Sequence, residues 1–162
     1  MAGTPDARMT PGVNQRDRIK MTPLEVAAFL QERHTMAVAT FGPDGGIHLV
    51  GMWYGFVDGR LVIETKARSQ KAQNLRRNDR FTALVETGET YQELRGTELV
   101  GRATLTDDWD TLWRIGCSVF ERYFGPVTPE TEPLVERTLS KRVGIFLDVE
   151  RTVSWDHRKL AL

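Results

Sequence analysis

The 162-residue chain balances 22 basic against 22 acidic residues, so no global field draws it to nucleic acid or to an anionic membrane. Its length suits one domain with a real core, and its apolar and charged fractions are those of an ordinary globular protein. The one cysteine, Cys117, excludes an intramolecular disulfide and a cysteine-based metal cluster, and no stretch is apolar for long enough to span a bilayer.

Residues 1–20 are polar, carry Gly and Pro, and lack the apolar stretch of a secretory signal. A mobile tail is expected there, followed by a single domain over 21–162, in a cytoplasmic protein. Thr22-Pro23-Leu24-Glu25 reads as a helix start: Thr22 caps, Pro23 suits the first helical position and Glu25 completes a capping box. That helix is predicted to run to about Arg33. Met36 to Phe41 is a buried strand, stopped by the turn cluster Gly42-Pro43-Asp44-Gly45-Gly46. A longer strand is predicted from Ile47 to Val57, rich in β-branched and aromatic residues. Asp58-Gly59 marks a tight hairpin, whose two central positions require positive φ, and Arg60 to Thr65 is the returning strand.

Lys66 to Arg80 concentrates the basic residues and opens a short helix. Thr65, Ser69 and Lys71 place two hydroxyls, a positive charge and free helix N-terminal amides in one small region, which suits a phosphate. The alternative is a solvated basic face. Phe81 to Thr87 is another apolar strand, and a long strand region is expected from Tyr91 to Leu105, with bulges or bends at Gly96 and Gly101. Asp107-Asp108 begins a helix carrying Trp109, Leu112, Trp113, Cys117 and Phe120, ending near Gly125-Pro126. Cys117 on that apolar face reads as a buried, inert thiol. A short helix over 129–140, a strand from Val143 to Val149 and a final segment from Thr152 to Trp155 complete the chain. Hairpin-linked strands with few helices favour a mainly β fold, an antiparallel barrel with accessory helices. No glycine-rich phosphate loop of the dinucleotide or nucleoside-triphosphate type is present.

The strand Ile47-His48-Leu49-Val50-Gly51-Met52-Trp53-Tyr54, the Asp58-Gly59 hairpin and Thr65…Ser69-Gln70-Lys71-Ala72-Gln73-Asn74-Leu75 together resemble the pyridoxamine 5′-phosphate oxidase-like family of split β-barrel, FMN-binding flavoproteins. Tyr91-Gln92-Glu93-Leu94-Arg95-Gly96…Leu99-Val100-Gly101 resembles its flavin/deazaflavin oxidoreductase branch, many members of which use coenzyme F420 in place of FMN. The resemblance spans residues 22 to 156. It implies a homodimer with two cofactor sites at the subunit interface, and it implies that Thr65, Ser69 and Lys71 contact the cofactor phosphate. Many phosphate-binding members carry a second basic residue just before that Lys, where this chain has Gln70. Lys66 and Arg68 either compensate or meet the longer polycarboxylate tail of the deazaflavin coenzyme. Met52, Trp53 and Tyr54 are candidates to line the slot for the redox ring, with core packing of alternate residues as the competing reading. Trp155 resembles family residues that reach the partner's cofactor, or else packs in place.

Redox chemistry of this kind is carried by the cofactor, so no catalytic triad is required and none is evident. His34, His48 and His157 are too scattered for a metal site. His48 is positioned to polarise a substrate or is a structural histidine, and Tyr91 and Arg95 are further candidates for substrate contact. The resemblance implies an oxidoreductase that uses reduced F420 to transfer a hydride to an unsaturated small molecule. The alternatives are an FMN-dependent oxidase or reductase, and a non-catalytic carrier of a flavin-like or haem-like ligand. No metal, nucleic-acid or membrane partner is expected.

Overall fold

Seven strands form one sheet in a computed structural model that describes residues 14–32 and 35–160. They are β1 (Met36–Phe41), β2 (Ile47–Met52), β3 (Gly55–Val57), β4 (Arg60–Lys66), β5 (Arg80–Thr87), β6 (Arg95–Thr106) and β7 (Arg142–Asp156). All pairings are antiparallel, in the order β2-β1-β5-β6-β7-β4-β3. β2 and β3 stand at opposite ends of that order, yet only Trp53 and Tyr54 separate them. Three consecutive Cα steps reach at most about 11 Å, so the ends of the sheet must meet and the sheet closes into a barrel, split where β2 hands over to β3.

The single strand predicted over Ile47–Val57 is therefore two. Tyr54 causes the break by turning fully inward: it is buried, its hydroxyl donates to Leu30 O at 2.9 Å, and its backbone N–H donates to the Tyr123 hydroxyl at 3.3 Å. The Asp58-Gly59 hairpin forms with φ of 51° and 74° at the two residues. A register shift at Val100/Gly101 makes the expected bulge, and a Cβ on Gly101 would collide with the Asp148 carbonyl oxygen. The two C-terminal segments predicted separately are one continuous strand, β7, which bends there instead of stopping.

Among the described residues five α-helices accompany the barrel: α1 (Gln15–Ile19), α2 (Pro23–Gln31), α3 (Gln70–Arg77), α4 (Trp109–Phe124) and α5 (Glu132–Leu139). α1 falls inside the stretch expected as a tail, capped by Asn14 and packed against the terminal 3-10 turn His157–Leu160. α2 begins with the capping box predicted from Thr22 and Glu25. α4 is capped by Asp108, whose side chain accepts from Thr111 N–H, and it stops where Gly125 takes φ of 95°.

Alternation along β4 sorts the interior into two layers. Leu61 and Ile63 face the barrel core with Phe81, Val85, Leu99 and Ile145. Val62 faces outward and packs with Ile115 of α4 and Phe146. Leu112, Val135 and Leu139 then join α4 to α5. Each such buried side chain contributes about 1.5–3 kcal/mol. β2 is different: none of its residues is buried, and Ile47 and Leu49 are 60% and 66% exposed.

Candidate functional site

The site grows out of the turn that ends β4 and starts α3. Ser69 takes extended backbone angles and caps the helix, its Oγ accepting from Ala72 N–H. Ala72 and Leu75 are buried on the side that anchors α3 to the barrel. That orientation also buries Lys71, which keeps 8% of its surface. Its ammonium donates to Thr65 Oγ1 at 3.0 Å, and the Thr65 hydroxyl donates onward to Ser69 Oγ at 3.2 Å.

The direction of this chain matters. The Thr65 oxygen receives one hydrogen and gives its own to Ser69, whose oxygen also receives the Ala72 amide. The Ser69 hydroxyl hydrogen is left at the free end of the relay. Among the described residues no carboxylate lies within ion-pair distance of Lys71, and two of its three ammonium hydrogens have no partner. Burial pushes the Lys71 pKa below the ordinary lysine value; the nearby Arg142 lowers it further and Glu64 acts in the opposite sense. A desolvated cation beside a free hydroxyl hydrogen is a donor set for an oxyanion.

A second polar network fixes α3 in place. The buried Asn74 donates to Thr40 Oγ1 of β1 at 3.0 Å, while its Oδ1 accepts from Gln70 at 2.8 Å and from Arg77 at 2.6 Å. Gln70, the residue that stands where a second basic group was expected, is thus committed to Asn74. His48 pairs with Thr40 in the β1–β2 ladder, which sets it at the end of the barrel that α3 covers.

Lys66 and Arg68 line a cavity of about 530 Å³ together with Ala67, Ser140 and Lys141. Ser140 and Lys141 come from the turn between α5 and β7, and Ala67 N–H donates to Lys141 O at 2.9 Å. Arg142, the next residue, pairs with Glu64 at 2.6 Å. Sequence reasoning missed both Lys141 and Arg142. They lie some seventy positions from Lys66 and are brought to it by the β4–β7 ladder, which opposes Lys66 to Arg142.

The three candidates for the ring slot part company. Tyr54 lies wholly in the core, and burial raises its pKa to about 12. Met52 packs partly buried against the barrel interior. Trp53 stays 46% exposed, stacked on Tyr123 with ring centres 4.5 Å apart and planes 9° apart, with Phe124 edge-on at 5.4 Å. It borders an apolar cavity of about 250 Å³ between α4, α5 and the outer face of β4, where Glu64 is the one ionisable lining residue. Trp155 is half-buried and opposes Gly96 across the β6–β7 ladder, its indole lying where a Cβ on Gly96 would be.

Other candidates are committed elsewhere. Arg95 forms a two-pronged pair with Glu32 at 2.7 and 2.8 Å. His157 Nδ1 donates to Tyr91 O at 2.8 Å, with the two rings edge to face. Cys117 is half-buried, and burial holds its thiol above the usual range, which disfavours the reactive thiolate. His34 lies outside the described residues. Among the described residues no helix is long and apolar enough to cross a membrane.

The barrel has known counterparts. The crystal structure of the conserved hypothetical protein Rv2991 from Mycobacterium tuberculosis is 48% identical, with 93% of this chain and 94% of that chain covered and a TM-score of 0.87. An F420 reductase is 21% identical over 77% of this chain and 93% of its own, with a TM-score of 0.59. HutZ, the haem storage protein of Vibrio cholerae, is 19% identical over 82% and 94%, with a TM-score of 0.65. The latter two likenesses concern the fold alone. No curated protein matches the chain. The sequence profile of the pyridoxamine 5′-phosphate oxidase family matches residues 22–156, which take in every strand of the barrel, and the chain belongs to that family.

Proposed function

We propose that the protein is an oxidoreductase that binds coenzyme F420 and uses its reduced form to reduce an unsaturated organic substrate. The observation that carries this is Lys71: a buried ammonium with two unused hydrogens, joined through Thr65 to a free Ser69 hydroxyl hydrogen. These residues fit a phosphate, which both F420 and FMN carry. The deazaflavin is favoured because Gln70 is neutral and tied to Asn74, whereas Lys66 and Arg68 extend the positive surface beyond the phosphate position.

Bound in its reduced state, the deazaflavin supplies a hydride, and the protein supplies orientation and electrostatics. Lys71, Thr65 and Ser69 hold the phosphate and thereby fix one end of the cofactor. Met52 and Trp53 are assigned to the side of the ring slot, where an apolar wall excludes water. Tyr54 supports that wall from the core. On this reading a homodimer would complete the site, with Trp155 contributed from the second copy to hold the ring. The exposed outer face of β2 supports such a dimer, since Ile47 and Leu49 lie beside Phe41 on one surface.

The decisive experiment is a pair of titrations of the purified protein, with F420 and with FMN, followed by tryptophan quenching. Micromolar binding of F420 with weak FMN binding is the expected result. The reverse preference makes this an FMN enzyme. Tight binding without turnover of any electron donor or acceptor makes it a carrier.

A further inference from the structure

α4 and α5 touch at Gly116, where a Cβ would come within 2.6 Å of the Leu139 side chain. Phe120 and Phe124 follow Gly116 at four-residue steps, on the same face of α4. They line the cavity of about 250 Å³ that the two helices enclose over the outer face of β4. The Phe120 and Phe124 ring centres lie 5.0 Å apart, and Phe124 meets Trp53 edge-on, so three aromatic rings form one wall. Phe124, Leu134 and Trp53 stay 64%, 47% and 46% exposed around it. Side chains of this size left to water along a concave wall mark a place where an apolar body docks.

One charged group interrupts that wall. Ile63 faces the barrel core, so Glu64, the next residue, faces outward and lines the cavity. Thr65 turns back to Lys71, and the strand itself separates the cavity from the phosphate cradle. The Glu64 side chain is 13% exposed. One of its oxygens accepts from Arg142 at 2.6 Å, and the other has no hydrogen-bond partner among the described residues. The hydroxyl of Thr138, also in the lining, gives its hydrogen to Leu134 O at 2.8 Å. An ion pair set into apolar surroundings is weak evidence for stability, whereas a carboxylate oxygen left open there accepts strongly from a ligand O–H or N–H. Arg142 already balances the charge, so a neutral donor suits Glu64 better than a cation does, and a second carboxylate is repelled.

We propose that this cavity is a binding site for a compact, uncharged aromatic molecule bearing an O–H or N–H donor, which Glu64 accepts while Phe120, Phe124 and Trp53 flank the rings. The volume falls just under the range of about 300–1,000 Å³ usual for drug-sized ligands, which sets the occupant at one or two fused rings. A phenol, a naphthol or an indole is of this class; a phosphate or a carboxylate is not. The site goes beyond the oxidoreductase reading and needs no cofactor, because Thr65, Ser69 and Lys71 take no part in it.

The test is equilibrium dialysis of the protein, with no cofactor added, against 2-naphthol, naphthalene and 2-naphthoate. The wild type is expected to bind 2-naphthol about tenfold more tightly than naphthalene, the lower end for a hydrogen bond to a charged acceptor, and 2-naphthoate most weakly. Glu64→Met removes the acceptor while keeping a side chain of similar length, so the two neutral probes should then bind alike. Thr138→Phe should fill the cavity and abolish binding of both, with a thermal melt near that of the wild type because Thr138 is exposed on α5. No binding of 2-naphthol to the wild type overturns the site. Equal affinity for 2-naphthol and naphthalene, or tightest binding of 2-naphthoate, overturns recognition by Glu64. Binding that Thr138→Phe leaves intact places the ligand elsewhere and overturns the proposal as well. The phosphate cradle is tested by the F420 and FMN titrations, so either reading can fail while the other stands.

Discussion

Lys71 Nζ and Thr65 Oγ1 lie 3.0 Å apart, and this bond holds an ammonium that the fold has largely removed from water. A neutral hydroxyl stabilises such a charge far less than a carboxylate does. The pair is thus better suited to a ligand anion than to the stability of the empty barrel.

Replacing Lys71 by Ala is expected to weaken phosphate-bearing cofactor by about 1.5–3 kcal/mol, the scale of a charge-assisted hydrogen bond. The empty protein should lose little stability, because the deleted charge had no carboxylate partner. Thr65→Val should weaken binding less, since it removes the link to Ser69 while leaving the ammonium. Titration and thermal melting of the same samples check both effects. Unchanged cofactor affinity in Lys71→Ala would remove the cradle from the site.

The depressed Lys71 pKa gives binding a definite pH dependence. Only the charged form attracts an anion, so affinity should fall as pH rises through a value below the ordinary lysine 10.5. The stability of the empty protein moves the other way. The unfolded chain holds this proton more tightly than the native one, so stability rises with pH from the native Lys71 pKa up to the unfolded value. Below that window the cost of the buried charge is fully present. Comparing wild type with Lys71→Met isolates the contribution: the alkaline loss of affinity and the alkaline gain of stability should both vanish in the variant.

Arg122 is expected to dominate the stability of the corner that carries Trp53 and Tyr54. Its guanidinium donates to the carbonyls of Leu30, Gln31 and Glu32 at the end of α2, at 3.1, 3.3 and 2.8 Å. It also lies over the Tyr54 and Phe56 rings at 4.7 and 5.1 Å. A cation here caps the negative end of α2 and covers the ring that breaks the β2–β3 strand. Arg122→Ala should destabilise by about 2–3 kcal/mol, and Lys should rescue only part, because a point charge cannot fork to three carbonyls. Tyr54→Phe, which loses the bond to Leu30 O, should cost about 1 kcal/mol. Denaturant melts of the three variants measure these differences. Equal melts for Arg122→Ala and wild type would contradict the clamp.

Local chemistry was legible in the sequence. The Thr22–Glu25 capping box, the Asp58-Gly59 hairpin, the Asp108 cap and the Gly101 bulge each depend on a few adjacent residues, and each formed where its residue types demand. The Thr65, Ser69 and Lys71 grouping was legible for the same reason, lying within one turn. The break at Trp53-Tyr54 was not, because aromatic residues favour strands and the turn is imposed by partners far along the chain, Leu30 and Tyr123. Lys141 was equally hidden. Nothing near it in sequence signals a basic cluster, and only the β4–β7 ladder, which opposes its neighbour Arg142 to Lys66, brings it there. Fold class follows from short-range pattern, whereas the far wall of the site follows from topology.

The outer face of β2 yields the last prediction. β2 stands at an end of the strand order with no buried residue, and Ile47 pairs with Phe41, which is also exposed. A row of apolar side chains on an end strand is an invitation to association unless a partner covers it. A second copy of the chain is the partner proposed for it, with the cofactor sites at the junction. Light scattering on the wild type should then give twice the chain mass. Changing both Ile47 and Leu49 to Glu should halve that mass and weaken cofactor binding together, because the partner's side of the slot leaves with it. Loss of the dimer with cofactor affinity intact would separate the interface from the site, and a monomeric wild type would remove the dimer altogether.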